Sequence, residues 1–89
     1  MNTIRNKRKI LQESIAKIVK EQRLLRNKSI SLVSDEIGIT KSIWADLEKG
    51  IKDPQLSTFF RIAEGLEIPP HTLLKLIEEH LDKNFSFLE

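Results

Sequence analysis

Apolar residues recur along this chain at three- and four-residue intervals, and no stretch alternates over a strand's length. Leu11, Ile15, Ile18 and Val19, with Leu25 at the far end, mark the inner face of a first helix from Ile10 to Arg26. Asn27 suits the left-handed position that closes such a helix. The stripe restarts with Val33 and Ile37 four residues apart, behind Ser29, whose hydroxyl can accept an orphan backbone N–H of the first turn. Gly38 stands where a residue of positive φ ends that second helix. Ile39 follows as a buried anchor, and Thr40 is a second N-cap. The third helix sets Ile43, Trp44 and Leu47 on one side and Lys41, Ser42, Ala45, Asp46 and Lys49 on the other, and Gly50 stops it.

Residues 49–54 read as a loop, after which Leu56, Phe59, Ile62, Ala63 and Leu66 predict a fourth helix over residues 55–66, with Asp53 or Ser57 as its cap. Gly65 in its last turn costs up to about 1 kcal/mol against alanine. Pro69 disfavours helix at Ile68. A fifth helix starts at Pro70 or His71 and runs to Leu81, with Leu73, Leu74, Ile77 and Leu81 inward. The expected fold class is all-α, five helices over residues 10–81. Residues 1–9 are polar and basic, expected as a flexible arm. Residues 82–89 carry Phe85, Phe87 and Leu88 at a spacing that fits neither a clean helix nor a long strand. This tail covers the domain's own core, packs across a two-fold interface or stays disordered; an apolar end invites burial somewhere.

With 89 residues the chain is one domain. A formal charge of +2 is too mild to argue for nucleic acid, but its distribution is uneven. Residues 1–30 hold nine Lys/Arg against two Glu, a net +7, and the remaining 59 hold six bases against eleven acids, a net −5. That asymmetry suits a chain presenting one end to a phosphate backbone, and equally a basic solvated arm. Without cysteine there is no disulfide and no thiolate metal site, which fits a reducing cytoplasm. No apolar run nears the roughly 18 residues a spanning helix needs, and the first residues lack a signal-peptide apolar stretch.

A helix, a glycine turn and a second helix form the unit that places a recognition helix in the major groove. The longer run GITKSIWADLEKGIKDPQLSTFFRIAEGLEIP resembles the lambda-repressor-like (XRE) helix-turn-helix family. Eleven positions of that pattern stand in register: Gly38, Thr40, Ser42, Trp44, Glu48, Gly50, Pro54, Leu56, Ile62, Ala63 and Leu66. The resemblance covers residues 15–77. It implies an ion pair between Arg23, late in the first helix, and Glu48, closing the third. It also implies base reading by the exposed side of the third helix, from Thr40, Lys41, Ser42, Ile43, Ala45 and Asp46. Lysine can donate to guanine O6 and N7, serine can bond to either kind of base edge, and Asp46 can accept from cytosine N4 while repelling phosphate. Expected phosphate contacts are Arg23, Lys28, Ser29, Ser31, Lys49 and Lys52, helped by backbone N–H groups at helix starts. Two positions depart from the pattern. Ile30 stands where many members carry glutamine, and Lys28 where the family buries an aliphatic residue, which implies a looser joint between the first two helices.

Trp44 reads as the central core aromatic rather than a base-stacking residue, and Ser34 as a small spacer. His71 and His80, without a third ligand, are expected to be solvated and to hold no metal. No nucleophile–base pair, paired carboxylates or glycine-rich phosphate loop appears, so the chain is not expected to be an enzyme or to need a cofactor. The expectation is a cytoplasmic, sequence-specific regulator of transcription acting on double-stranded DNA as a homodimer. The rival is a helix-turn-helix scaffold that binds a protein partner, antitoxin-like, with weak or no DNA binding.

Overall fold

Five helices follow one another in the computed structural model, which describes residues 3–88 and their side chains from Asn6 onward. They are α1 (Thr3–Leu25), α2 (Ile30–Ile37), α3 (Lys41–Glu48), α4 (Leu56–Gly65) and α5 (Pro70–His80), with no strand among the described residues. The all-α, five-helix expectation holds. α1 packs against α3 and α5, α2 against α3 and α4, and α4 against α5. Trp44, Val19, Val33, Ile62, Ala63, Leu66, Leu73 and Ile77 fill the middle. Trp44 is wholly buried, as its position between Ile39 and Leu47 required.

Local chemistry accounts for the element ends. Ser29 accepts the Leu32 N–H at 3.0 Å, and Thr40 accepts the Ile43 N–H at 3.1 Å, so both short helices begin on a hydroxyl cap. α2 ends on Gly38 at φ 72°, and Asn27 sits at φ 55° after α1. Pro70 occupies the first turn of α5, where its missing N–H costs no intrahelical bond.

Several expectations need correction. α1 begins at Thr3, so residues 3–9 of the anticipated arm are its first two turns; Met1 and Asn2 lie outside the described residues. Nothing in that basic stretch breaks a helix, and lysine and arginine are good helix formers. Arg8 Nε also donates to Asp53 Oδ2 at 2.9 Å, tying α1 to the loop before α4. Asp53 is therefore not a cap. Gln55 begins α4 without a side-chain hydrogen bond. Leu25, Leu56 and Leu74 are exposed rather than inward. Leu74 lies about a quarter turn from Leu73 and faces a shallow apolar cleft shared with Leu11, Phe59 and Ile77. In the tail, Phe85 and Phe87 stack edge to face at 5.4 Å, while Leu88 is exposed. Neither phenylalanine joins the buried cluster.

Candidate nucleic-acid interface

Four expected base-reading residues, Thr40, Lys41, Ser42 and Ile43, stand exposed in one run at the start of α3. Ala45 and Asp46, one turn further along, are half-buried. The helix is held from behind by Trp44 and Leu47, so its outer edge cannot roll without breaking the core. Ile43 lies on the flank, where it lines a cleft of about 160 Å³ with Ile39, Leu47, Lys52, Pro54, Thr58 and Ile62.

Arg23 and Glu48 meet as a fork. Arg23 Nε donates to Glu48 Oε2 at 2.6 Å and Nη2 to Oε1 at 3.0 Å. The Trp44 indole N–H donates to the same Oε2 at 2.6 Å, and Arg23 Nη1 donates to the Lys28 carbonyl at 2.8 Å. Both charged side chains are about nine-tenths buried. The hydrogen bond to Glu48 holds the guanidinium pKa above an arginine's ordinary value. One side chain thus ties α1, the joint after it and the end of α3.

Of the six expected phosphate contacts, Ser29, Ser31, Lys49 and Lys52 are exposed. The other two point their donors inward. Arg23 spends its donors inside the protein. Lys28 is a half-buried node: its ammonium donates to Glu36 Oε1 at 2.7 Å and the Gly65 carbonyl at 2.8 Å, and pairs with Glu67 Oε2 at 2.9 Å. Three acceptors match the three protons of an ammonium, leaving none for a phosphate. The joint between α1 and α2 is accordingly tied, not loose, because the lysine head bonds α2 and the end of α4. Ser34 is buried, as a small spacer should be, and its hydroxyl donates to the Ile30 carbonyl at 2.6 Å.

Hydrogen bonds to Glu36 and then to Glu67 raise the Lys28 pKa above 10.5, and the bond to Lys28 lowers that of Glu67 below 4.5. The two signs define a window. A depressed carboxylate stabilises the fold above its unfolded pKa and loses that contribution as pH falls through the folded value. A raised lysine stabilises below 10.5 and loses its contribution as pH rises through the folded value. Glu67→Gln should therefore be less stable than wild type at pH 7, and the gap should close on acidification below 4.5. Urea unfolding of both proteins at neutral and acid pH measures this; a gap independent of pH would remove the Glu67 charge from the account.

Sequence reasoning missed Arg61. From α4 its guanidinium donates Nε to the Ile37 carbonyl at 3.1 Å and Nη2 to the Ile37 and Gly38 carbonyls, the latter at 3.0 Å. The signal was only a single cation on α4. His71 is exposed. His80 is exposed too, but its Nδ1 lies 2.5 Å from the hydroxyl of buried Ser14, so its ring is not merely solvated. No cluster that could hold a metal ion is found among the described residues. Nor is any described helix long and apolar enough to cross a membrane.

The helix-turn-helix family HTH_3 matches residues 19–73, well over half of the chain, spanning α2, the Gly38 turn, α3 and α4. The structure is similar to that of an HTH_3 family transcriptional regulator from Vibrio cholerae, with a TM-score of 0.73 and 25% sequence identity. The likeness covers 91% of this chain but 46% of that regulator, so this chain spans about half of its length. A search of curated proteins found no match. By the family match, and by the helix–glycine turn–helix it covers, this chain belongs to the HTH_3 (XRE) helix-turn-helix family.

Proposed function

We propose that this protein is a DNA-binding transcriptional regulator that reads the major groove with the N-terminal half of α3. One observation carries the reading: Thr40, Lys41, Ser42 and Ile43 form an uncovered polar-to-apolar run on a helix otherwise fixed from behind. Lys41 and Ser42 are the direct readers, able to address guanine and either kind of base edge respectively. Ser29, Ser31, Lys49 and Lys52 flank that edge and hold the phosphate backbone, setting register without reading sequence. The Vibrio cholerae regulator, similar over nearly the whole chain, supports the same role. Two copies on a near-palindromic site are proposed, because one such module makes few base contacts and symmetric half-sites double them.

Selection of bound sequences from a random duplex pool tests this directly. The wild type should yield a consensus, and a Lys41→Ala/Ser42→Ala variant should lose preference at the positions those residues address, by about 1–3 kcal/mol per base pair. An unaltered consensus would show that neither residue reads bases. A rival reading, a scaffold for a protein partner, draws on Leu32, which is 47% exposed on α2, and on Asp46 along the α3 edge. Retardation of random duplex separates the two. A regulator binds weakly and loses affinity steeply with salt, whereas an interaction scaffold does not bind.

A further inference from the structure

The last carbonyls of a helix have no partner within it. In α2 those of Ser34 and Asp35 are met by the turn itself, through the Gly38 N–H and, for Ser34, the Ile39 N–H at 3.0 Å. The carbonyls of Ile37 and Gly38 are met from outside, by Arg61. A guanidinium is planar and its donors lie in a fixed fork, so holding two successive carbonyls fixes the peptide planes on either side of Gly38. Those planes are the hinge from which α3 departs: Thr40, its cap, is two residues further on. Arg61 is anchored in turn by Ile62 and Ala63, both buried in the core. Its charge also suits the negative end of α2.

We propose that Arg61 is a positioning residue for DNA recognition: its fork on the Ile37 and Gly38 carbonyls sets the direction in which Thr40–Ile43 meet the duplex. The proposal rests on the DNA-binding reading above. α3 is then held at both ends by arginines from outside the α2–α3 unit, Arg23 on Glu48 at its end and Arg61 just before its start. Arg61 is exposed, so water is open to its donors. Arg61 instead closes on main-chain oxygens 23 and 24 residues away.

The test uses full-length Arg61→Ala and Arg61→Lys, well below their unfolding midpoints, against a selected duplex and a random one. Arg61→Ala should bind the selected duplex about tenfold more weakly, with affinity for random duplex and its salt dependence unchanged, because a misdirected edge loses base contacts and keeps phosphate contacts. Arg61→Lys should recover only part of the loss, since a point charge cannot span both carbonyls. Amide hydrogen exchange at Ile43 and Trp44, whose N–H groups bond to Thr40, should speed up in Arg61→Ala while exchange at Leu73 and Ile77 stays the same. A salt slope lower by about 0.9 would make Arg61 a phosphate contact and overturn the proposal. So would equal losses on both duplexes, or unchanged exchange at Ile43 and Trp44. Should the wild type bind no duplex, the DNA reading falls, and exchange alone then decides whether Arg61 orients α3.

Discussion

Glu48→Ala should lose about 3–5 kcal/mol of unfolding free energy, read from urea denaturation at neutral pH. The carboxylate accepts three hydrogen bonds, two from Arg23 and one from Trp44, where all three side chains are buried or nearly so. Truncation leaves a guanidinium without its counter-charge and an indole N–H without an acceptor. Arg23 cannot swing out to water freely, because its Nη1 is bonded to the Lys28 carbonyl. The penalty is thus that of orphaned buried donors, larger than that of a screened surface pair. Arg23→Met/Glu48→Leu separates the two costs. Replacing both charges with apolar groups of similar volume should restore the part of the loss that comes from the unpaired charge, since a buried pair fixes orientation more than it adds net stability, while the Trp44 N–H and the Lys28 carbonyl stay without their partners. A Glu48→Ala midpoint within experimental error of wild type would reduce the pair to a surface contact. The double variant should still unfold cooperatively, and under the DNA-binding function proposed above it should read DNA less selectively, because α3 has lost the tie that fixes its end.

How much of this was legible in the chain depended on how local the cause was. Ser29, Gly38, Thr40 and Asn27 act within a few residues, so their cap and turn roles could be read from their neighbours. The core stripe was readable for the same reason, since helical spacing alone placed Val19, Val33, Trp44 and Ile77 inside. Arg23 and Glu48 are 25 residues apart, and no periodicity joins them; the pairing came from the family resemblance. Lys28 looked like a misfit because its acceptors lie 8, 37 and 39 residues away, one of them a main-chain oxygen. Arg61 was illegible on similar grounds. Main-chain carbonyls carry no residue identity, so a side chain that binds them leaves no pattern in the sequence. The start of α1 was not legible because polarity alone does not separate a loose arm from an exposed helical turn, and the Arg8–Asp53 pair that anchors that turn joins residues 45 apart.

Gly65 reverses sign between sequence and structure. Helix propensity alone says that alanine there should gain up to about 1 kcal/mol. Yet α4 crosses α2 at this residue, and a Cβ would stand 2.9 Å from Ile37 Cγ2 and 3.0 Å from Val33 Cγ2. Val33 is fully buried and Ile37 is half-buried against the same core, so a shift of either disturbs the packing around it. Gly65→Ala should therefore lose about 1 kcal/mol in spite of its better propensity, and Gly65→Val, which adds two more methyls, about 3 kcal/mol. Pushing the helices apart also draws the Gly65 carbonyl from the Lys28 ammonium, now 2.8 Å away, so part of the cost is electrostatic. Val33→Ala supplies the control. Alone it should destabilise by leaving a cavity, but combined with Gly65→Ala it should cost clearly less than the sum of the two, because the new methyl occupies the vacated space. Additive losses, or a Gly65→Ala protein more stable than wild type, would mean that the two helices are not in the contact described. A coupling of about 1 kcal/mol would locate the crossing at this glycine, which is where α4 must lie for Arg61 to reach the end of α2.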